Sequence, residues 1–251
     1  MKPSARKEYL AALGIETWVL RSAPVPAEHA APAVMPRPVP REEPPAPRPG
    51  PPTVRSEPLA PREEGGDWAE LRARVAACTR CSLSATRTQT VFGVGNLQAE
   101  WLIVGEAPGA EEDRRGEPFV GRAGQLLNSM LRAIGLAREQ VYIANVLKCR
   151  PPGNRDPSPG EVAECLPYLE RQIALLRPKI MLAVGRISAQ NLLKTDTPLG
   201  KLRLKVHSFG LAQVPLVVTY HPAYLLRTPA DKRKAWEDLK FAREVCASVQ
   251  R

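Results

Sequence analysis

Four cysteines have the spacing of a metal site. Cys78 and Cys81 form a C-x-x-C pair, and Cys149 and Cys165 follow much later in the chain. Two close thiolates joined by two distant ones can ligate zinc or a [4Fe–4S] cluster. Spacing alone leaves both open, and a single C-x-x-C also arises in redox pairs. No redox-type strand precedes this one. The fifth, Cys246, lies in a helical pattern and reads as a buried apolar residue.

A second set of residues could handle water and hydrogen bonds. Gly105-Glu106-Ala107-Pro108-Gly109 follows a continuous apolar run, Trp101–Val104. Its glycines let backbone turn sharply and approach a ligand closely, and its carboxylate is placed to hold a water. The chain has three histidines. His29 lies in a proline-rich stretch and His207 near a strand end, whereas His221 stands directly before Pro222 at the end of an apolar run. A histidine fixed there is a candidate hydrogen-bond donor. Phe119 is the one aromatic between the GEAPG turn and the next helix, free either to stack on a flat ligand or to cap the core.

These residues need a frame, and the hydrophobic pattern supplies one. A helix is predicted from Asp67, carrying Trp68, Leu71 and Val75 toward Cys78. Helical spacing recurs over 122–134, 160–176, 187–193 and 231–248. Apolar runs at 101–104, 141–147 and 180–184 suit buried strands, and 201–206 and 214–219 also read as strands. A charged loop is expected from Gly105 to Val120. The alternation predicts an α/β fold with three layers, α/β/α, around a mostly parallel four-stranded sheet. In such a sheet the site lies at the carboxyl ends of the strands. Gly105–Gly109, Asn145 and His221 all fall there.

Composition divides the chain. Fourteen of its 27 prolines lie between Pro24 and Pro61, where little apolar area is available to offset ordering entropy. Residues 21–66 are therefore expected to be a disordered linker, and 67–251 the folded domain. Residues 4–14 read as a short amphipathic helix stopped by Gly14. With Ile15 and Trp18, it makes residues 1–20 either a docking segment for a partner protein or an element that packs back on the domain. Residues 67–251 carry a net charge of +9 against +1 for 1–66, which points to a polyanionic partner, most simply nucleic acid. No run approaches the ~20 apolar residues of a membrane span, and the start lacks an unbroken signal-peptide core. A cytoplasmic chain without disulfides is the expectation.

Longer motifs carry a family resemblance. GEAPG, then Glu-Pro-Phe-Val-Gly-Arg-Ala-Gly at 117–124, the run from Tyr142 to Arg155, and His-Pro-Ala-Tyr-Leu-Leu-Arg at 221–227 are similar to the family 4 uracil-DNA glycosylases. The resemblance spans about Asp67 to Arg251 and does not cover the first 66 residues with comparable strength. It implies a monofunctional enzyme that flips uracil out of DNA and hydrolyses its glycosidic bond; a monomer is the separate expectation. The resemblance also implies a [4Fe–4S] cluster on Cys78, Cys81, Cys149 and Cys165. Phe119 would stack on the base and Asn145 would read its amide edge. Glu106 would position water or stabilise charge on the sugar, and His221 would donate to the uracil carbonyl. Gly105, Ala107 and Gly109 would line the base. Leu225 is expected to fill the vacated stack, with Arg227 and Arg155 contacting DNA. A replication or repair protein would be the partner of residues 1–20. The family's best-known relatives place an Asp after the position of Glu106, where this chain has Ala107. Between Asn145 and Cys165 there is no histidine, which argues against a covalent trap.

Overall fold

In the computed structural model the described residues are 66–249. The expected docking segment, the helix at 4–14 and all but the last residue of the linker lie outside them. Helix α1 (Gly66–Ala76) leads to the cysteine pair, and a short 3-10 turn, Ser82–Ala85, follows the pair. Strands β1 (Val94–Gly95) and β2 (Trp101–Gly105) follow, then helices α2 (Ala110–Arg115) and α3 (Arg122–Ala133) and strand β3 (Tyr142–Asn145). Helix α4 (Pro159–Leu176), strand β4 (Ile180–Val184) and helices α5 (Arg186–Leu193) and α6 (Leu199–Leu202) come next. Strands β5 (His207–Phe209) and β6 (Val214–Thr219) and helices α7 (Pro222–Arg227) and α8 (Lys232–Ser248) complete the order.

The sheet runs β1-β3-β2-β4-β6-β5. Its four inner strands are parallel, and β1 and β5 add short antiparallel edges. The parallel strands are unbroken apolar runs because both faces are covered. Strand side chains alternate between the faces. Leu102, Val104, Tyr142 and Ala144 join a core with α1 and α4, whereas Trp101, Ile103 and Ile143 join another with α3 and α8. Cys246 is buried in that second core, as its helical context suggested.

The expected strand at 201–206 is corrected. Residues 199–202 form the helical turn α6, Leu204 adopts a left-handed φ of 54°, and the edge strand starts at His207. The apolar alternation of Leu202, Leu204 and Val206 mimics a strand, yet only Leu202 of these three is buried. The short antiparallel edges β1 and β5, added to the four parallel strands, give the sheet six strands rather than four. The loop expected after Gly105 contains α2, whose first turn carries Glu111, Glu112 and Asp113, acids that favour a helix N-terminus.

Helix α4 shows how local sequence positions the cysteines. Ser158 caps it by accepting from the Glu161 N–H at 3.3 Å, and Glu161 accepts in return from the Ser158 N–H at 2.8 Å. This reciprocal cap, with Pro159 at the first helical position, fixes the helix that carries Cys165.

Candidate active site and thiol cavity

A cleft of about 720 Å³ opens at the carboxyl ends of the parallel strands. Chain order reverses there, since β3 lies on one side of β2 and β4 on the other. Such a switch point leaves a crevice between loops. Glu106 enters after β2, Asn145 ends β3, Arg186 follows β4 and His221 follows β6.

Gly105 and Asn145 are register partners across the β2–β3 ladder. A Cβ on Gly105 would lie 2.3 Å from Asn145 Oδ1 and 2.8 Å from the Phe119 ring. The glycine thus lets an amide and an aromatic ring share one spot on the floor. Phe119 is held at φ 54°, a costly conformation for a bulky residue. Arg138 secures it by donating to the Pro118 carbonyl at 2.6 Å, the Phe119 carbonyl at 3.4 Å and Asn128 Oδ1 at 3.1 Å. The Phe119 ring stacks on His221 with centroids 5.6 Å apart and planes 30° from parallel.

His221 is fixed from both sides. A Cβ on Gly185, which has φ 102°, would stand 3.0 Å from His221 Cβ. The Ala223 N–H donates to Nδ1 at 3.1 Å, which leaves the ring proton on Nε2. Burial pushes the imidazole pKa down to about 4; Arg227 adds to the shift and Glu112 opposes it. His221 is therefore a neutral Nε2–H donor at neutral pH. The Glu106 carboxyl is raised by burial and by Asp156, while Arg186 counteracts. Asp156 and Arg186 pair at 2.8 Å on the rim.

Glu112 was visible as one of three consecutive acids, but no role follows from that. In the fold its carboxylate accepts from the Gly109 N–H at 3.1 Å, the Val120 N–H at 3.1 Å and the Gly121 N–H at 3.3 Å. One side chain thereby ties the GEAPG turn to the segment bearing Phe119. Its position three residues after Gly109 is the usable signal, since an acid there commonly binds the helix cap. Arg138 carried no sequence signal.

The cleft brings together Glu106, Ala107, Gly109, Phe119, Asn145 and His221, with Arg155 and Arg227 at its edge. The Arg155 guanidinium is engaged by Glu161 at 2.6 and 2.9 Å, so it braces the loop as well as lining the rim. Leu225 does not join them and its expected role is corrected. It is 1% exposed and packs in the core with α3 and α8, because α7 turns that side chain inward. Tyr224 of the same helix lines the cleft instead.

The four cysteines meet elsewhere. Cys78, Cys81, Cys149 and Cys165 line one small cavity below α1 and α4. Among the described residues no three His, Cys, Asp or Glu side chains converge tightly enough for a single metal ion; the thiols ring a space instead. Arg87 Nη1 donates to Cys149 Sγ at 3.1 Å and the Lys148 N–H to Cys165 Sγ at 3.2 Å. Burial raises the Cys149 thiol and pushes Cys165 up to about 11, so thiolates there require a cationic guest. An all-sulfur donor set with N–H···S contacts fits an iron–sulfur group. Among the described residues no helix is long and apolar enough to cross a membrane.

Comparison with known proteins agrees with this architecture. Residues 92–240 match the family described as the uracil DNA glycosylase superfamily. The type-4 uracil-DNA glycosylase of Archaeoglobus fulgidus is 46% identical over 182 residues, covering 70% of this chain and 92% of that protein. The type-4 enzyme of Thermotoga maritima is 42% identical over 173 residues, 68% of this chain and 90% of the relative. A type-5 uracil-DNA glycosylase of Pyrobaculum aerophilum is more distant, at 32% over 149 residues. The chain belongs to the uracil DNA glycosylase superfamily and, within it, to the type-4 uracil-DNA glycosylases.

Proposed function

We propose that this protein excises uracil from DNA by hydrolysing the N-glycosidic bond, with the cleft as its active site. The observation that carries this reading is the joint placement of Asn145 and a neutral His221 beside Phe119. A base within a duplex is unreachable, so it must be extruded at a cost of a few kcal/mol. The basic charge of the chain offsets that cost by gripping phosphates, with Arg227 and Arg155 at the cleft edge. Phe119 stacks on the flipped base while Gly105, Ala107 and Gly109 bring backbone close to it. The Asn145 amide donates to a ring carbonyl and accepts from the ring N–H. Cytosine would leave those groups unpaired, which is a strong basis for rejection.

Bond cleavage develops positive charge on the sugar and negative charge on the base. His221 Nε2–H donates to the uracil carbonyl as that negative charge grows. Glu106 is assigned to the sugar side, where its carboxylate form holds the attacking water and stabilises the cation. Water positioning rests on Glu106 because position 107 is alanine.

Cys78, Cys81, Cys149 and Cys165 are the proposed ligands of a [4Fe–4S] cluster. A ring of thiols around a space suits a cubane better than one zinc ion, which draws its donors to ~2.3 Å. When bound, the cluster cross-links α1, the β3 end and α4. Residues 67–251 then constitute the glycosylase domain, acting as a monomer in the cytoplasm. Residues 1–20 are assigned to docking on a replication or repair protein, tethered by 21–66. Deleting residues 1–66 is expected to leave excision of free oligonucleotides intact; a large loss of rate refutes that assignment.

The deciding experiment is excision from a single-uracil oligonucleotide, in single-stranded, U·G and U·A forms, read as strand breakage after alkali. Wild type is expected to cut, and Asn145→Ala and His221→Ala each to lose roughly 10²–10³ in rate. Tight uracil-dependent binding without breakage would make the protein a recognition module and strip Glu106 of its role.

A further inference from the structure

Lys148 lies between the cleft and the thiol cavity and is 1% exposed. Its Nζ donates to the Asn145 carbonyl at 2.8 Å and to Gln172 Oε1 at 2.6 Å. Both acceptors are neutral. Gln172 cannot swing away, because its Nε2 donates to the Phe92 carbonyl at 2.9 Å and to the Tyr142 hydroxyl at 3.2 Å. Among the described residues no carboxylate pairs with Lys148. A buried cation with only neutral acceptors is strongly unfavourable unless negative charge lies nearby.

Among the described residues, the thiol cavity is the source of such charge that Lys148 lines, beside Cys149 and Cys165. On the same cavity Arg87 donates to Cys149 Sγ at 3.1 Å and to the Ala76 carbonyl at 3.1 Å. Four thiolates outweigh the positive core of a [4Fe–4S] group, leaving it net negative. Two cations thus meet one anionic guest, Arg87 from the part-exposed side and Lys148 from within.

We propose that Lys148 is a positioning residue that couples the two sites: the charge of the cysteine-bound cluster holds its ammonium in the interior, and the ammonium holds the Asn145 carbonyl and with it the amide that reads the base. This rests on the function proposed above. It explains why a lysine, rather than an apolar side chain, fills the interior three residues after Asn145. The β3 backbone prepares the link, since Val146 and Leu147 donate to the Gly105 and Glu106 carbonyls at 3.0 and 2.9 Å.

The test uses the full chain with its iron, comparing wild type with Lys148→Met, Lys148→Arg and Arg87→Gln. Iron per chain, cluster reduction potential by spectroelectrochemistry, DNA affinity and single-turnover excision are read for each. Lys148→Met is expected to lose about 10- to 100-fold in excision, the range for residues supporting ligands from behind, with DNA affinity unchanged and a more negative potential. Arg87→Gln is expected to lower the potential likewise but to keep wild-type excision. Lys148→Arg, which keeps the charge, is expected to restore the potential.

Lys148→Met with wild-type potential and iron overturns the counter-cation role. A shifted potential with wild-type excision overturns the coupling to Asn145. If Lys148→Met does not accumulate, Lys148→Arg decides: recovery of iron and potential supports the proposal, and equal failure shows that fit rather than charge is at stake and overturns it. Absence of excision or iron in wild type would instead fault the proposed function.

Discussion

The cleft and the thiol cavity draw on the same stretch of chain, yet they are built on opposite terms. Asn145 ends β3 and faces the cleft, and four residues later Cys149 faces the cavity. The cleft is wide, and its side chains are aimed by hydrogen bonds from neighbours such as Glu112 and Arg138. The cavity is narrow and gathers thiols from α4 and from the segments after α1 and β3. One region orients groups without holding the fold, and the other holds elements together without touching substrate. Damage to the first should appear in rate, and damage to the second chiefly in stability, reaching the rate only through Lys148.

The largest separation is expected from Cys165→Ala. It should lose iron and more than about 4 kcal/mol of stability, the range typical of a lost metal. A brown protein of wild-type melting temperature would break the division. Leu225→Ala follows, with about 2–5 kcal/mol lost by leaving a cavity in the core. Denaturant melts check this, and a wild-type melt with a specific loss of base flipping would restore Leu225 as a wedge. Glu112→Ala frees both loops of the cleft and is expected to cost ~10²-fold in excision, the scale of a small misplacement of reacting groups, with iron and melting temperature kept. Equal losses in rate and stability would show that Glu112 holds the fold instead.

The smallest effect concerns pH. His221 is lowered to about 4 by burial, so it stays neutral while a free histidine protonates near 6.5. Between those values the unfolded chain takes up a proton that the native chain refuses. Native stability contributed at this site therefore falls as pH drops through that window, and excision shows no His221 limb near 6.5. A ring titration by NMR with a midpoint near 6.5 would contradict the buried, neutral assignment.

Much of this was legible in the residues. Periodicity located the parallel strands and the long helices, because strands buried on both faces leave unbroken apolar runs. The four cysteines and the GEAPG and His221-Pro222 motifs were legible because their chemistry resides in residue type. Other features depend on contacts across the chain. Leu204 and Val206 alternate like a strand but stand exposed, and the inward turn of Leu225 follows from how α7 packs on α3 and α8. The reach of Glu112 to Val120 and of Arg138 to Pro118 likewise has no local pattern.

The register match of Gly105 with Asn145 has a consequence for how this enzyme can change. The span between the floor and the base-reading amide is set by the spacing of two hydrogen-bonded strands, not by a loop. Loop insertions and deletions, the usual raw material for new specificities, leave that span untouched. A one-residue slip in either strand would turn the reader to the opposite face. Evolution toward another base must therefore proceed by exchanging side chains at fixed addresses, which makes the preference slow to drift and readily inherited.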